Sequence, residues 1–206
     1  MFKLKTIVAA ALALGVAGAA SAAGVVDGTF SEGAGAGSFH TYFDGQNIGA
    51  WTVGTGSVDL IGSYWQAPPT GGYSVDLDGN EPGTISQSLS LAAGHYQLSF
   101  YLSGNPDGGD PLKSVTVSVG DASQSFSFLT TGHSAGDMGY ALKTLDFNAT
   151  GATTLSFQST DVASPWGPAI GGVSVAAVVP EPGSMTLLLA GLGLVGVMAK
   201  RRIRGL

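Results

Sequence analysis

No cysteine occurs among the 206 residues. Disulfides, thiol nucleophiles and cysteine-bound zinc are therefore excluded. Charge is scarce as well, since Asp, Glu, Lys and Arg make up 11% of the chain. Basic residues are scarcest of all in its body. Lys3 and Lys5 stand near the beginning and Lys200, Arg201, Arg202 and Arg204 near the end, which leaves Lys113 and Lys143 against 13 acidic residues between positions 23 and 179. A surface with that balance repels phosphate backbones, so a nucleic-acid partner is not expected. Sustained helical periodicity is missing from the same stretch.

Apolar material is plentiful. Hydrophobic residues make up 44% of the chain and there are 33 glycines, which fits a buried core built from short strands and many turns. Both ends look like addresses rather than parts of that core. Residues 1–22 run from a lysine-containing start through an apolar stretch to Ala20-Ser21-Ala22. This is the charged n-region, short h-region and small-residue site of a signal peptide, with cleavage expected after Ala22. At the other end Pro180-Glu181-Pro182 precedes 17 uncharged residues, 183–199, and then Lys200, Arg201, Arg202 and Arg204. The apolar run is just long enough for a transmembrane helix. The basic group after it is the expected cytoplasmic stop-transfer signal. Proline disfavours helix at itself and just before, so Pro180, Glu181 and Pro182 should lie extended and open to a protease.

Those three parts, in that order, resemble the PEP-CTERM sorting signal of Gram-negative bacteria that make exopolysaccharide. The resemblance implies that Pro180, Glu181 and Pro182 form a processing-recognition site for an exosortase. It also implies that the helix anchors the chain in the inner membrane for a time before the protein reaches the cell surface or the extracellular space. A plain C-terminal membrane anchor is the other reading of the same residues.

Between the addresses, short β-like runs alternate with turn signals. They fall at 50–53, 57–61, 73–77, 83–89, 95–102, 114–119, 124–128, 141–147, 153–159 and 169–178. Tyr96, Leu98, Phe100 and Leu102 should share one strand face, as should Val115, Val117 and Val119. Residues 23–49 are rich in Gly, Ala and Ser, and suggest a loosely held start. Many short strands at near-regular spacing predict an all-β fold, a β-sandwich with jelly-roll topology.

A second resemblance covers the domain at 23–178. Residues 51–65, Ser74-Val-Asp-Leu-Asp-Gly-Asn80, Pro82-Gly-Thr-Ile-Ser-Gln87, Tyr96-Gln-Leu-Ser-Phe100 and Gly167-Pro168 with Val173-Ser-Val175 resemble the choice-of-anchor C domain. The resemblance implies a galactose-binding-like β-sandwich displayed at the surface, and assigns no ligand.

The candidate chemistry is sparse. Asp76, Asp78 and Asn80 place oxygen-bearing side chains at alternate positions, a partial ligand set for a structural calcium ion. A turn stabilised by Asp and Asn side chains explains the same residues. Trp51, Tyr64, Trp65 and Trp166 supply aromatic rings, and Asn105, Asp107 and Asp110 a polar loop. Trp51 begins a strand and reads as core. Trp65 and Trp166 are the candidate carbohydrate platform. His40, His95 and His133 stand far apart and fit no His-Glu-x-x-His motif. Asn148-Ala-Thr150 has the spelling of a glycosylation acceptor. The expected function is a non-enzymatic, surface-sorted module that binds extracellular polysaccharide or serves a structural role. The alternative is a secreted glycan-modifying hydrolase using an unidentified carboxylate pair.

Overall fold

The structure is a computed structural model and describes residues 24–33, 36–162, 164–178 and 191. The expected signal peptide at 1–22, the Pro-Glu-Pro motif and the basic tail lie outside the described residues, as does the apolar run 183–199 apart from Gly191. Among the described residues no helix is long and apolar enough to cross a membrane.

Among the described residues twelve strands form two antiparallel sheets. They are β1 (Phe39–Phe43), β2 (Asn47–Ile48), β3 (Trp51–Val53), β4 (Ser57–Ile61), β5 (Ser74–Asp76), β6 (Thr84–Leu89), β7 (Gly94–Gly104), β8 (Leu112–Val119), β9 (Ala122–Leu129), β10 (Ala141–Ala149), β11 (Thr153–Ser159) and β12 (Pro168–Ala177). Sheet A has the order β1-β4-β5-β12-β7-β10, and sheet B the order β2-β3-β6-β11-β8-β9. From β5 onward the chain changes sheet at every connection except the β8–β9 hairpin. Each of the ten runs expected from the sequence becomes a strand.

The two inner faces meet because period-2 alternation puts every second side chain inside. Tyr96, Leu98, Phe100 and Leu102 of β7 face Val115, Val117 and Val119 of β8 across one apolar core. Aromatic rings form a chain through it. Centroid separations are 5.3 Å for Phe30–Trp51, 6.0 Å for Trp51–Phe157, 5.1 Å for Phe157–Phe100 and 5.3 Å for Phe100–Phe126. Glycine is required at the bulge of β12, where the register shifts between Gly171 and Ser174 and Gly172 has φ +59°.

The start of the domain differs from expectation. It is not loosely held: residues 24–33 close one margin of the core, and β1 and β2 follow. Phe30 is fully buried against Trp51. The Trp51 indole donates to the Asp27 carbonyl at 3.0 Å. Buried Gln87 accepts from Val26 N at 2.7 Å and donates to Val26 O at 2.9 Å. Composition misled because one aromatic side chain anchors a segment otherwise made of small residues. Removing that ring leaves a cavity, so Phe30→Ala is expected to lower unfolding stability by about 3–5 kcal/mol in urea titration, with the strand content of the folded state kept.

Candidate functional site

A small second apolar cluster sits on the outward side of sheet A, where Ile61, Trp65, Met138 and Ala169 pack together. Two loops cover that side. Gln66 N donates to Ala135 O at 2.8 Å, and Gln66 Oε1 accepts from Met138 N at 2.9 Å. Three further loops meet these at one end of the sandwich: 77–83, 105–111 and 160–167.

Asp76, at the end of β5, joins those three. Its Oδ1 accepts from Asp78 N at 3.1 Å and from Gly167 N at 3.0 Å, and its Oδ2 accepts from Asn105 Nδ2 at 2.8 Å. Asn105 N donates to Gly167 O at 2.8 Å, and Asn105 Oδ1 accepts from Asp107 N at 3.0 Å. Lys113 adds a clasp. It occupies an inward position of β8, is 1% exposed, and donates through Nζ to Gly108 O at 2.7 Å and Trp166 O at 2.6 Å. The Gly108 backbone lies on the Trp166 ring, since a Cβ there would stand 2.9 Å from two ring carbons.

These contacts shape a cleft of about 220 Å³ on the outward side of sheet A. Phe39, Tyr64 and Trp166 supply aromatic surface, with Tyr64 44% and Trp166 37% exposed. Phe39 stacks edge-on against Tyr64 at 5.7 Å. The polar lining includes Asp59, Asn80, Asn105 and Asp107. Tyr64 OH donates to Asp107 Oδ2 at 2.6 Å, and Thr41 Oγ1 donates to Asp59 Oδ1 at 2.6 Å. Among the described residues no Lys, Arg or His lines the cleft.

The two candidate platform residues thus line one cleft in different ways. Trp166 presents its ring at the wall. Trp65 is 6% exposed, donates through Nε1 to Ser74 Oγ at 2.8 Å, and forms the floor. Asp76 and Asp78 are buried, whereas Asn80 is exposed in the cleft. Both Asp76 oxygens are taken by N–H donors, and among the described residues no three acidic or histidine side chains are grouped to hold a metal. Asn148 is exposed and bonded to Asp121 and His95.

Sequence reasoning passed over several residues. Phe39 and Thr41 were hidden because β1 lay in a segment read as Gly-rich, and Asp59 because it sits mid-strand on β4 with no motif to mark it. Lys113 carried a usable signal, since it continues the inward series Val115, Val117 and Val119. Contrary to the expectation that no serine sits in a Gly-x-Ser-x-Gly motif, Gly132-His133-Ser134-Ala135-Gly136 has that spelling. Ser134 sits in a turn bonded to Asp137 between β9 and β10, not on the strand-to-helix elbow that makes such a serine reactive.

Burial dominates the electrostatics. It pushes the Asp76 carboxyl well above the usual carboxylate range, although the Asp78 N–H and the Asn105 amide pull the other way. Asp78 is 0% exposed and neither of its oxygens has a hydrogen-bond partner. Burial raises it to about 6, with the Ser159 hydroxyl (short of good hydrogen-bond geometry) and Lys113 opposing and Asp161 adding to the rise. Burial also raises Asp59, against the Thr41 hydrogen bond and His40.

Residues 24–176 match the protein family described as "Protein of unknown function (DUF642)". The chain belongs to the DUF642 family. Residues 178–202 match the PEP-CTERM protein-sorting motif, which marks an exported protein. The DUF642 domain is similar to part of Halomucin from Haloquadratum walsbyi, at 34% identity over 134 residues. That match covers 64% of this chain and 1% of Halomucin, so the chain spans about a hundredth of that relative. Among solved structures, the family 35 carbohydrate binding module from Clostridium thermocellum has a TM-score of 0.45 at 15% identity, covering 68% of this chain and 99% of that one. The exo-beta-1,3-galactanase from Phanerochaete chrysosporium has a TM-score of 0.42 at 22% identity, covering 68% and 29%.

The sign of the Asp78 effect gives a test. Between pH 3.8 and about 6 the folded chain holds a proton that the unfolded chain releases, so this group makes stability fall as pH rises through that window. Asp78→Asn cannot ionise. Its melting temperature should therefore exceed that of the parent at pH 7.5, by a gain of up to about 3 kcal/mol at 1.4 kcal/mol per pKa unit, and converge with it near pH 4. A constant difference across the range would remove ionisation as the cause.

Proposed function

We propose that this DUF642 protein is an exported, non-enzymatic surface module that binds neutral carbohydrate in the cleft beside Trp166. In this reading residues 1–22 are a removed signal peptide, the domain is of the choice-of-anchor C kind, and an exosortase processes the tail at Pro180-Glu181-Pro182. The carrying observation is the cleft itself, an exposed indole set beside amide, hydroxyl and carboxylate groups with no basic side chain. A sugar offers an apolar ring face and a rim of hydroxyls, which such a wall and lining complement. Lys113 and Gly108 hold the indole before any ligand arrives, which reduces the ordering cost of binding.

A glycan-array screen of the purified full-length protein tests this. Trp166→Ala should weaken binding at least about tenfold, as loss of a central aromatic anchor does, while leaving the melting temperature nearly unchanged. Trp65→Ala should instead lower stability by about 3–5 kcal/mol, because that ring is floor and core. No neutral glycan bound by the parent protein would overturn the reading.

One observation favours a hydrolase as the second reading: two carboxylates, Asp59 and Asp107, line the same cleft. Reducing-end release from a bound glycan, lost in Asp59→Asn or Asp107→Asn with binding retained, would establish it. Binding without any release would exclude it for that glycan.

A further inference from the structure

The outward face of sheet B carries a pattern that the cleft does not use. Strand register places Asn47 beside Thr52, Thr52 beside Ser86, Ser86 beside Ser156, Ser156 beside Ser118, and Ser118 beside Ser123. That row crosses all six strands without a break. A second row, Thr84–Gln158–Thr116–Ser125, runs parallel to it two residues away. Among the described residues no outward strand position of this sheet is charged, although the segment between 23 and 179 holds 13 acids and two lysines. Exposed β surfaces ordinarily carry charge that keeps molecules apart, so a whole neutral face is unusual.

The geometry of the face is regular. Neighbours within a row are about 4.8 Å apart, and adjacent rows about 6.8 Å apart along the strands. Each hydroxyl can both donate and accept. Three pairs bond to each other at 2.9 Å: Thr52 with Asn47, Thr116 with Ser125, and Ser118 with Ser123. The Ser86, Ser156 and Thr154 hydroxyls have no protein partner among the described residues. A hollow of about 410 Å³ opens on the same face between Val26, Thr52, Ser86, Ser88 and Thr154.

We propose that this face is a second binding surface, and that its occupant is a neutral polysaccharide chain. Charge decides the class. The grid offers a polyanion no cation, and the acidic remainder of the domain repels one. The two rows hold no aromatic or large apolar side chain of the kind that protein partners seat in a pocket, and the exposed apolar residues of this face, Val26 and the Leu112–Leu129 pair, stand apart at its margins. A polymer whose own hydroxyls recur at intervals can bond along a row. Each such bond contributes only about 0.5–1.5 kcal/mol, so several must form together, which selects polymer over monosaccharide. Successive strands rotate by about 20–25°, so the rows curve and suit a single flexible chain rather than a flat crystal facet. The cleft lies on the outward side of sheet A and this face on the outward side of sheet B, so one domain would tie two chains together.

The test uses the full-length protein in affinity gel electrophoresis, with hydroxyethylcellulose, a soluble β-1,3-glucan and a galactan as neutral probes and alginate as the acidic one. Ser156→Glu and Ser118→Lys put charge into the rows. Each should weaken retardation by a neutral polymer at least fivefold and abolish polymer cross-linking measured as turbidity, with circular dichroism unchanged. Should either misfold, Ser123→Lys on the exposed edge strand replaces it. Trp166→Ala should lose oligosaccharide binding and cross-linking but keep polymer retardation. Face variants that bind like the parent, preferential retardation by alginate, or a change only in oligomeric state by ultracentrifugation would each overturn the proposal. A silent Trp166→Ala beside weakened face variants would leave this face standing and remove the cleft reading alone.

Discussion

The cleft depends on the carboxylate of Asp76. It is nearly inaccessible to water, and a carboxylate buried without donors would be too costly to keep. Its three donors come from the turn after β5, from the loop after β7 and from the turn before β12. Satisfying one acceptor therefore fixes three loops that share no secondary structure. Trp166 precedes Gly167, whose N–H is one of those donors, so the aromatic wall is placed through the backbone next to it. Asp78, two residues on, is the counterexample. It is equally buried and lacks partners, and that difference separates a group that organises the site from one that strains it.

Lys113 extends the same logic to the space between the sheets. A lysine at an inward strand position would ordinarily break a core. Here its stem continues the Val115, Val117 and Val119 series, and its ammonium ends on two main-chain carbonyls at the mouth of the sandwich. The apolar core and the polar site thus join along one side chain.

Much of the architecture could be read from alternation alone. Strand positions from residue 50 onward followed from runs such as Tyr96 to Leu102, because a two-residue period has only one way to bury itself. Strand order did not follow, since β5, β12 and β7 become neighbours through contacts distant in sequence. The first strands escaped because β1, a β-prone Phe-His-Thr-Tyr-Phe run that pairs with β4, was averaged into a segment rich in small residues. In the site, Trp65 and Trp166 looked alike as sequence. Only the Ser74 hydrogen bond of one and the Gly108 backbone under the other tell floor from wall. Asp76, Asp78 and Asn80 alternate as metal ligands do, yet the N–H donors around Asp76 show that the same spacing also serves a loop hub.

The position of β12 has a consequence for timing. It is the last strand among the described residues, yet it lies between β5 and β7 in the middle of sheet A. Until residues 168–177 arrive, that sheet exists only as two separate halves, β1-β4-β5 and β7-β10. One late segment therefore closes two seams at once, against β5 on one side and β7 on the other. Pairing that waits on so distant a segment makes folding slow by topology.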